Sequence, residues 1–145
     1  MPLYFINRNK FKKQRGAAAI EFGLILPLLL LIVDGAIEFG AILHDQSVIS
    51  SASSLAARAG IAPSTNKLST AQISAIASQY CSVGLISFMP TDPPVIIVSQ
   101  SIDPTYKTPL RVTVNYKFQG LLVGGFIAAL SKNLQLSAST VMYNE

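Results

Sequence analysis

The sequence predicts an α+β protein: a long apolar N-terminal helix that continues as an amphipathic helix and packs on a small antiparallel β-sheet. Three observations predict it. From Gly23 to Val33 the chain is Leu, Ile and Val, broken only by Gly23 and Pro27. Between Gln46 and Ala59 the residues Val48, Ile49, Ala52, Leu55, Ala56 and Ala59 recur at helical spacing. From Leu110 to Phe118 apolar and polar residues alternate, the period of a strand with one buried face.

Composition narrows the setting. Half the residues are hydrophobic and 12% are charged, far below the charged share of an ordinary globular domain, which points toward a membrane. The net charge of +4 is unevenly placed. Arg8, Lys10, Lys12, Lys13 and Arg15 all precede Gly16, and every acid follows it. A short basic flank beside an apolar helix stays cytoplasmic, which sets the N-terminus inside and the C-terminus outside. A nucleic-acid interface needs basic residues spread over a folded face with interleaved aromatics, and nothing after Gly16 supplies that pattern.

Residues 1–16 read as a basic cytoplasmic leader, with an apolar patch at Leu3-Tyr4-Phe5-Ile6 too short to span a bilayer. Residues 17–43 read as a single transmembrane helix, longer than the roughly 20 residues a span requires. Pro27 lacks an N–H and is expected to bend or loosen the helix near residues 23–27. Asp34 and Glu38 are four residues apart and share one face. With Glu21 at the inner interface, Asp34 lies about 20 Å and Glu38 about 26 Å along the span at ~1.5 Å per residue. Two readings follow: the 34/38 face meets a partner helix, or both acids are solvated at the outer surface.

Residues 44–60 read as an amphipathic extension of the same helix, ended by Gly60 and Pro63. Small residues line up at Ala36 and Gly40 and again at Ala52, Ala56 and Gly60. Either they admit another backbone closely or they are merely tolerant helix positions. Residues 61–145 read as an extracytoplasmic α+β domain. Ser69 is an N-cap candidate for a second helix whose face carries Ile73, Ile76, Ala77 and Tyr80. Val95 to Ser101 is a β-branched strand candidate, followed by a turn at Asp103-Pro104-Thr105-Tyr106. Leu110, Val112, Val114, Tyr116 and Phe118 form the buried face of the clearest strand. Gly120 to Leu130 is either a loop with a short helix or a patch that touches membrane or partner. Asn133 to Tyr143 is the last strand, with Leu134, Leu136, Ala138 and Met142 on one face.

Arg15-Gly16-Ala17-Ala18-Ala19-Ile20-Glu21-Phe22 resembles the processing site of type IV prepilins, above all TadE/TadF-type pseudopilins of the tight-adherence pilus. The strings Asp34-Gly35-Ala36-Ile37-Glu38-Phe39-Gly40 and Leu55-Ala56-Ala57-Arg58-Ala59-Gly60 are similar to later motifs of that family. The likeness is good over roughly residues 15–60 and holds only in outline beyond. It implies a pilin-like fold and cleavage by a prepilin peptidase between Gly16 and Ala17, which makes Glu21 and Phe22 the fifth and sixth mature residues. It also implies the partners: membrane lipid, the peptidase, other pilins or pseudopilins, and pilus-assembly membrane proteins. The resulting expectation is a single-pass protein of the bacterial inner membrane, assembled into or alongside the pilus. Glu21 would pair with the new Ala17 amine, in its own chain or a neighbour's.

Two alternatives remain open. One is a membrane-anchored periplasmic protein that is never cleaved. The other is a secreted binding domain released by signal peptidase near Gly35-Ala36. Against the latter stand Glu21 at the head of the apolar run, the poor cleavage sequence and the helical pattern that runs on.

Catalysis is not expected. A site needs a base oriented near a nucleophile, and His44 beside Asp45 reads as a solvated juxtamembrane pair. Gly124-Gly125 lacks the strand–turn–helix context and lysine of a phosphate loop. No cluster has metal-ligand spacing, so neither cofactor nor metal is expected, and no small-molecule substrate. Cys81 is the single cysteine and reads as a small buried apolar side chain, with pairing to another chain as the alternative.

Overall fold

The computed structural model describes residues 10–62, 67–87, 92–100, 108–120 and 134–143, with side chains from Gly16 onward. The chain divides into two compact units, one ending at Ala36 and the other beginning at Ile37.

The first unit is the N-terminal part of α1 (Lys10–Ile61), an α-helix that continues into the second. It begins at Lys10 rather than at the expected Ala17. Lys, Gln and Arg are good helix formers, and the single Gly16 costs only about 1 kcal/mol of helix propensity, too little to stop an Ala-rich helix. Pro27 sits inside α1 without ending it. From Gly16 through Val33 the described side chains are exposed, and the most apolar 18-residue window of the helix has a mean hydropathy of 2.4 with none of it buried.

The second unit has the expected α+β make-up. The rest of α1 is joined by α2 (Thr70–Gly84), β1 (Val95–Gln100), β2 (Pro109–Phe118) and β3 (Leu134–Tyr143). The sheet is antiparallel, in the order β1-β2-β3. Val98 stands opposite Val112, and Val112 opposite Thr140. The central strand behaves as its alternation predicts. Leu110, Val112, Val114, Tyr116 and Phe118 are buried, while Arg111, Thr113, Asn115 and Lys117 are more exposed. On β3 Leu136 and Ala138 are buried and Met142 is half-buried, whereas Leu134 is exposed.

The core joins Ile49, Ala52, Ala56 and Ala57 of α1 to Ile73, Ala77 and Cys81 of α2 and to the inner faces of β2 and β3. Two expectations for the helix faces change. Leu55 is exposed and Ala57 is fully buried. On α2 the buried position next to Ala77 is Cys81, and Tyr80 is exposed. The small residues of α1 explain both the close fit and the shift. A Cβ added at Gly60 would lie 2.5 Å from Leu110 Cδ2 and 2.8 Å from Ile73 Cδ1. The Ala52–Ala56–Gly60 stripe is therefore used by the chain's own sheet and second helix.

Polar pins fix β3 to α1. Ser53 donates to the Ser50 carbonyl at 2.9 Å and shares a 2.7 Å hydroxyl hydrogen bond with Thr140. Gln46 Nε2 donates to the Ser137 carbonyl at 3.2 Å. Ser50 in turn donates to the Gln46 carbonyl at 2.8 Å. Such bonds contribute about 1 kcal/mol each in typical proteins. α2 begins as the sequence predicts, with a reciprocal capping box between Ser69 and Gln72. The expected turn at residues 103–106 and the apolar stretch 121–130 lie outside the described residues.

Candidate functional site

The residues expected to carry processing all lie within α1. Gly16, Ala17, Glu21 and Phe22 are exposed. A Cβ built at Gly16 meets nothing within 4 Å, and the same is true at Gly23, Gly35 and Gly40. Gly60, Gly84 and Gly120, by contrast, are each pressed against a side chain. No described contact of the chain's own fold requires the glycines of the apolar helix. Each weakens the helix by about 1 kcal/mol relative to alanine.

Asp34 and Glu38, the two acids toward the C-terminal end of the apolar span, have different surroundings. Asp34 is half-buried, and its Oδ2 is shielded from solvent without a hydrogen-bond partner. Glu38 is 5% exposed. Gly120, where the chain leaves β2, lies directly over its carboxylate: a Cβ there would come within 2.7 Å of both Oε atoms. Ala36 and Gly40, one turn apart, are exposed. The four residues thus fall into a covered pair and an open pair.

A further constellation was not foreseen. Asp45 is fully buried rather than solvated. Ile86 N–H donates to Asp45 Oδ1 at 2.8 Å, while His44 Nε2 donates to the Gly84 carbonyl at 3.1 Å. Leu85 N–H donates to the Cys81 carbonyl at 3.0 Å. Two adjacent α1 residues therefore hold the end of α2 and the chain leaving it: His44 pairs a carbonyl that the helix end leaves free, and Asp45 pairs the N–H of Ile86 beyond it. Gly84 permits the approach, since a Cβ there would be 2.9 Å from Val48 Cγ1. Burial pushes the Asp45 carboxyl above its ordinary value of 3.8, opposed by the Ile86 N–H and by His44. Asp45 Oδ2 is buried without a partner. The overlooked signal was spacing: Asp45 falls four residues after Ala41 and four before Ile49, on the buried stripe of α1. Cys81, held in the same region, is fully buried, and burial raises its thiol pKa. Among the described residues no group of His, Cys, Asp and Glu is arranged to hold a metal ion.

Residues 16–58 match a protein-family model described as TadE-like protein, a segment covering less than half of the chain. The match opens at the expected processing glycine and ends at Arg58, so it takes in the apolar helix with Glu21, Asp34 and Glu38 and most of the core helix face. Neither the curated proteins nor the solved structures gave a match.

Proposed function

We propose that this chain, TadE-like over residues 16–58, is a pilin-like structural subunit of a tight-adherence pilus, held in the bacterial inner membrane by α1. The family match associates it with the pilus system, and α1 has the length and composition of a membrane anchor. One observation carries the reading. The exposed surface of α1 is apolar on every side from Ile20 to Val33, apart from Glu21, and the same helix then supplies the core of an α+β unit. A helix apolar all round is suited to lipid.

The finer steps follow from the residues. The basic flank keeps the N-terminus cytoplasmic and sends the α+β unit outside. A prepilin peptidase cuts between Gly16 and Ala17. Gly16 offers an unobstructed backbone at the cut and lowers the cost of unwinding the helix there. Glu21 then neutralises the new amine of Ala17 and sets the axial register between neighbouring subunits. Ala36 and Gly40, open on the helix surface, let an adjacent helix approach closely. The protein's role is packing and registration, and the peptidase acts on it as a substrate.

The continuous helix across Gly16 favours a second reading, an anchored protein that is never cut. The mass and N-terminal sequence of the protein extracted from membranes decide between them. A start at Ala17 supports processing, and Met1 or Pro2 supports the uncut anchor. A start beyond residue 36 would instead mark a domain released by signal peptidase.

A further inference from the structure

The turns of α1 that open the α+β unit have two faces of opposite character. Toward the sheet side lie Glu38, Ala41 and Asp45, all buried. On the other side Ile37, Phe39 and Leu43 are 57%, 61% and 55% exposed. Beyond Leu43 the exposed positions of α1 are His44, Ser47, Ser50, Ser51, Leu55 and Arg58, of which Leu55 alone is apolar. The change from apolar to polar surface therefore falls inside the α+β unit rather than at its start.

Helix length says what covers the apolar part. From Phe22 to Ala36 a helix rises only about 21 Å at ~1.5 Å per residue, well short of a hydrocarbon layer of about 30 Å. From Phe22 to Leu43 it rises about 32 Å, which spans that layer. Between these limits the exposed side chains include no charged one, because Asp34 is half-buried and Glu38 is buried. Glu38 lies under Gly120, where a Cβ would come within 2.7 Å of both carboxylate oxygens and the carboxylate would have to shift. A carboxylate left facing lipid costs several kcal/mol, and this placement removes it from the exposed surface.

We infer that Ile37, Phe39 and Leu43 form a lipid-contact surface of the α+β unit, which is seated in the outer leaflet with Glu38 kept from the acyl chains by Gly120. The occupant of this surface is phospholipid acyl chain, continuous with the lipid around the anchor. The inference rests on the membrane-anchor reading and adds that the unit has no free juxtamembrane stem.

The test uses the full chain reconstituted in phosphatidylethanolamine–phosphatidylglycerol vesicles. A thiol-linked fluorophore is placed by Leu26→Cys, Phe39→Cys, Leu43→Cys, Ser47→Cys or Ser51→Cys. Cys81 is fully buried, and the unsubstituted protein serves as its blank. Quenching by acyl-chain nitroxide lipids is compared with quenching by iodide in the water. The expected result is several-fold stronger lipid quenching at positions 26, 39 and 43 than at 47 and 51, with iodide reaching only the latter two. Lipid quenching at 26 together with iodide quenching at 39 and 43 would overturn the seat while leaving the anchor intact. Loss of lipid quenching at 26 itself would overturn both. Shielding of 39 and 43 from both quenchers, relieved by diluting the protein in lipid, would assign the surface to a second copy and overturn the inference too.

Discussion

The N–H of Ile86 donates to the Oδ1 of Asp45 at 2.8 Å, so a carboxylate on α1 anchors the chain as it leaves α2. His44 donates to Gly84 one step earlier. Together they tie the last carbonyl of a short helix, which the helix itself cannot satisfy, and the chain just beyond it to the long helix.

That tie has a pH signature. The Asp45 carboxyl is held above 3.8 by burial, so just above that pH the folded state binds more protons than the unfolded state. Stability therefore falls as pH rises from about 4 through the raised pKa, and levels off above it. Asp45→Asn keeps an acceptor for Ile86 and cannot ionise. Thermal unfolding in detergent across this range should show the downward slope in the wild type and a shallower one in the variant. Equal slopes would remove Asp45 from the account.

The two classes of glycine should respond oppositely. Gly60→Val drives a side chain into Leu110 and Ile73 and should destabilise the protein by about 1–3 kcal/mol, the usual cost of overpacking. Gly40→Ala meets open space and should raise helix stability by up to about 1 kcal/mol. The same alanine should weaken association if Gly40 admits a neighbouring helix. Unfolding and co-purification of both variants separate the two effects.

Gly16→Val should leave the basic leader attached without disturbing the fold, because nothing in the described structure touches that position. Intact mass gives the leader, and circular dichroism gives the fold. A variant cut as efficiently as wild type would show that the peptidase does not read Gly16.

Glu21→Gln should still insert and be cut, since a neutral amide is cheaper in lipid than a carboxylate. It should assemble poorly, having lost the partner for the Ala17 amine. Pilus yield from cells carrying the variant is the measurement. Normal assembly would mean that Glu21 only faces the cytoplasmic interface.

Much of the fold was legible because its signals were local. The alternation from Leu110 to Phe118 sets one face of β2, and Ser69 announces the start of α2 as its N-cap, to which the structure adds the reciprocal bond from Gln72. The burial of Asp45 was not legible from its neighbours: a carboxylate beside a histidine reads as solvated until α2 is laid across it. Leu55, expected on the buried face, is exposed, while Ala57, given no place on that face, is fully buried. The helical spacing alone leaves the edge of the buried face open by one position, and the contact with α2 and the sheet settles it. For the apolar part of α1 the sequence indicates a helix but no preferred face, since every side is alike.

The hydroxyl of Ser50 is already spent on the Gln46 carbonyl one turn back. It has less hydration to lose than a free hydroxyl when water is excluded. At Ser50, in a stretch of α1 uncharged from Gln46 to Ala57, the surface can therefore be wetted or covered with a smaller penalty. A surface so indifferent to its surroundings would suit the filament subunit proposed above, which must meet water before assembly and neighbouring subunits after it.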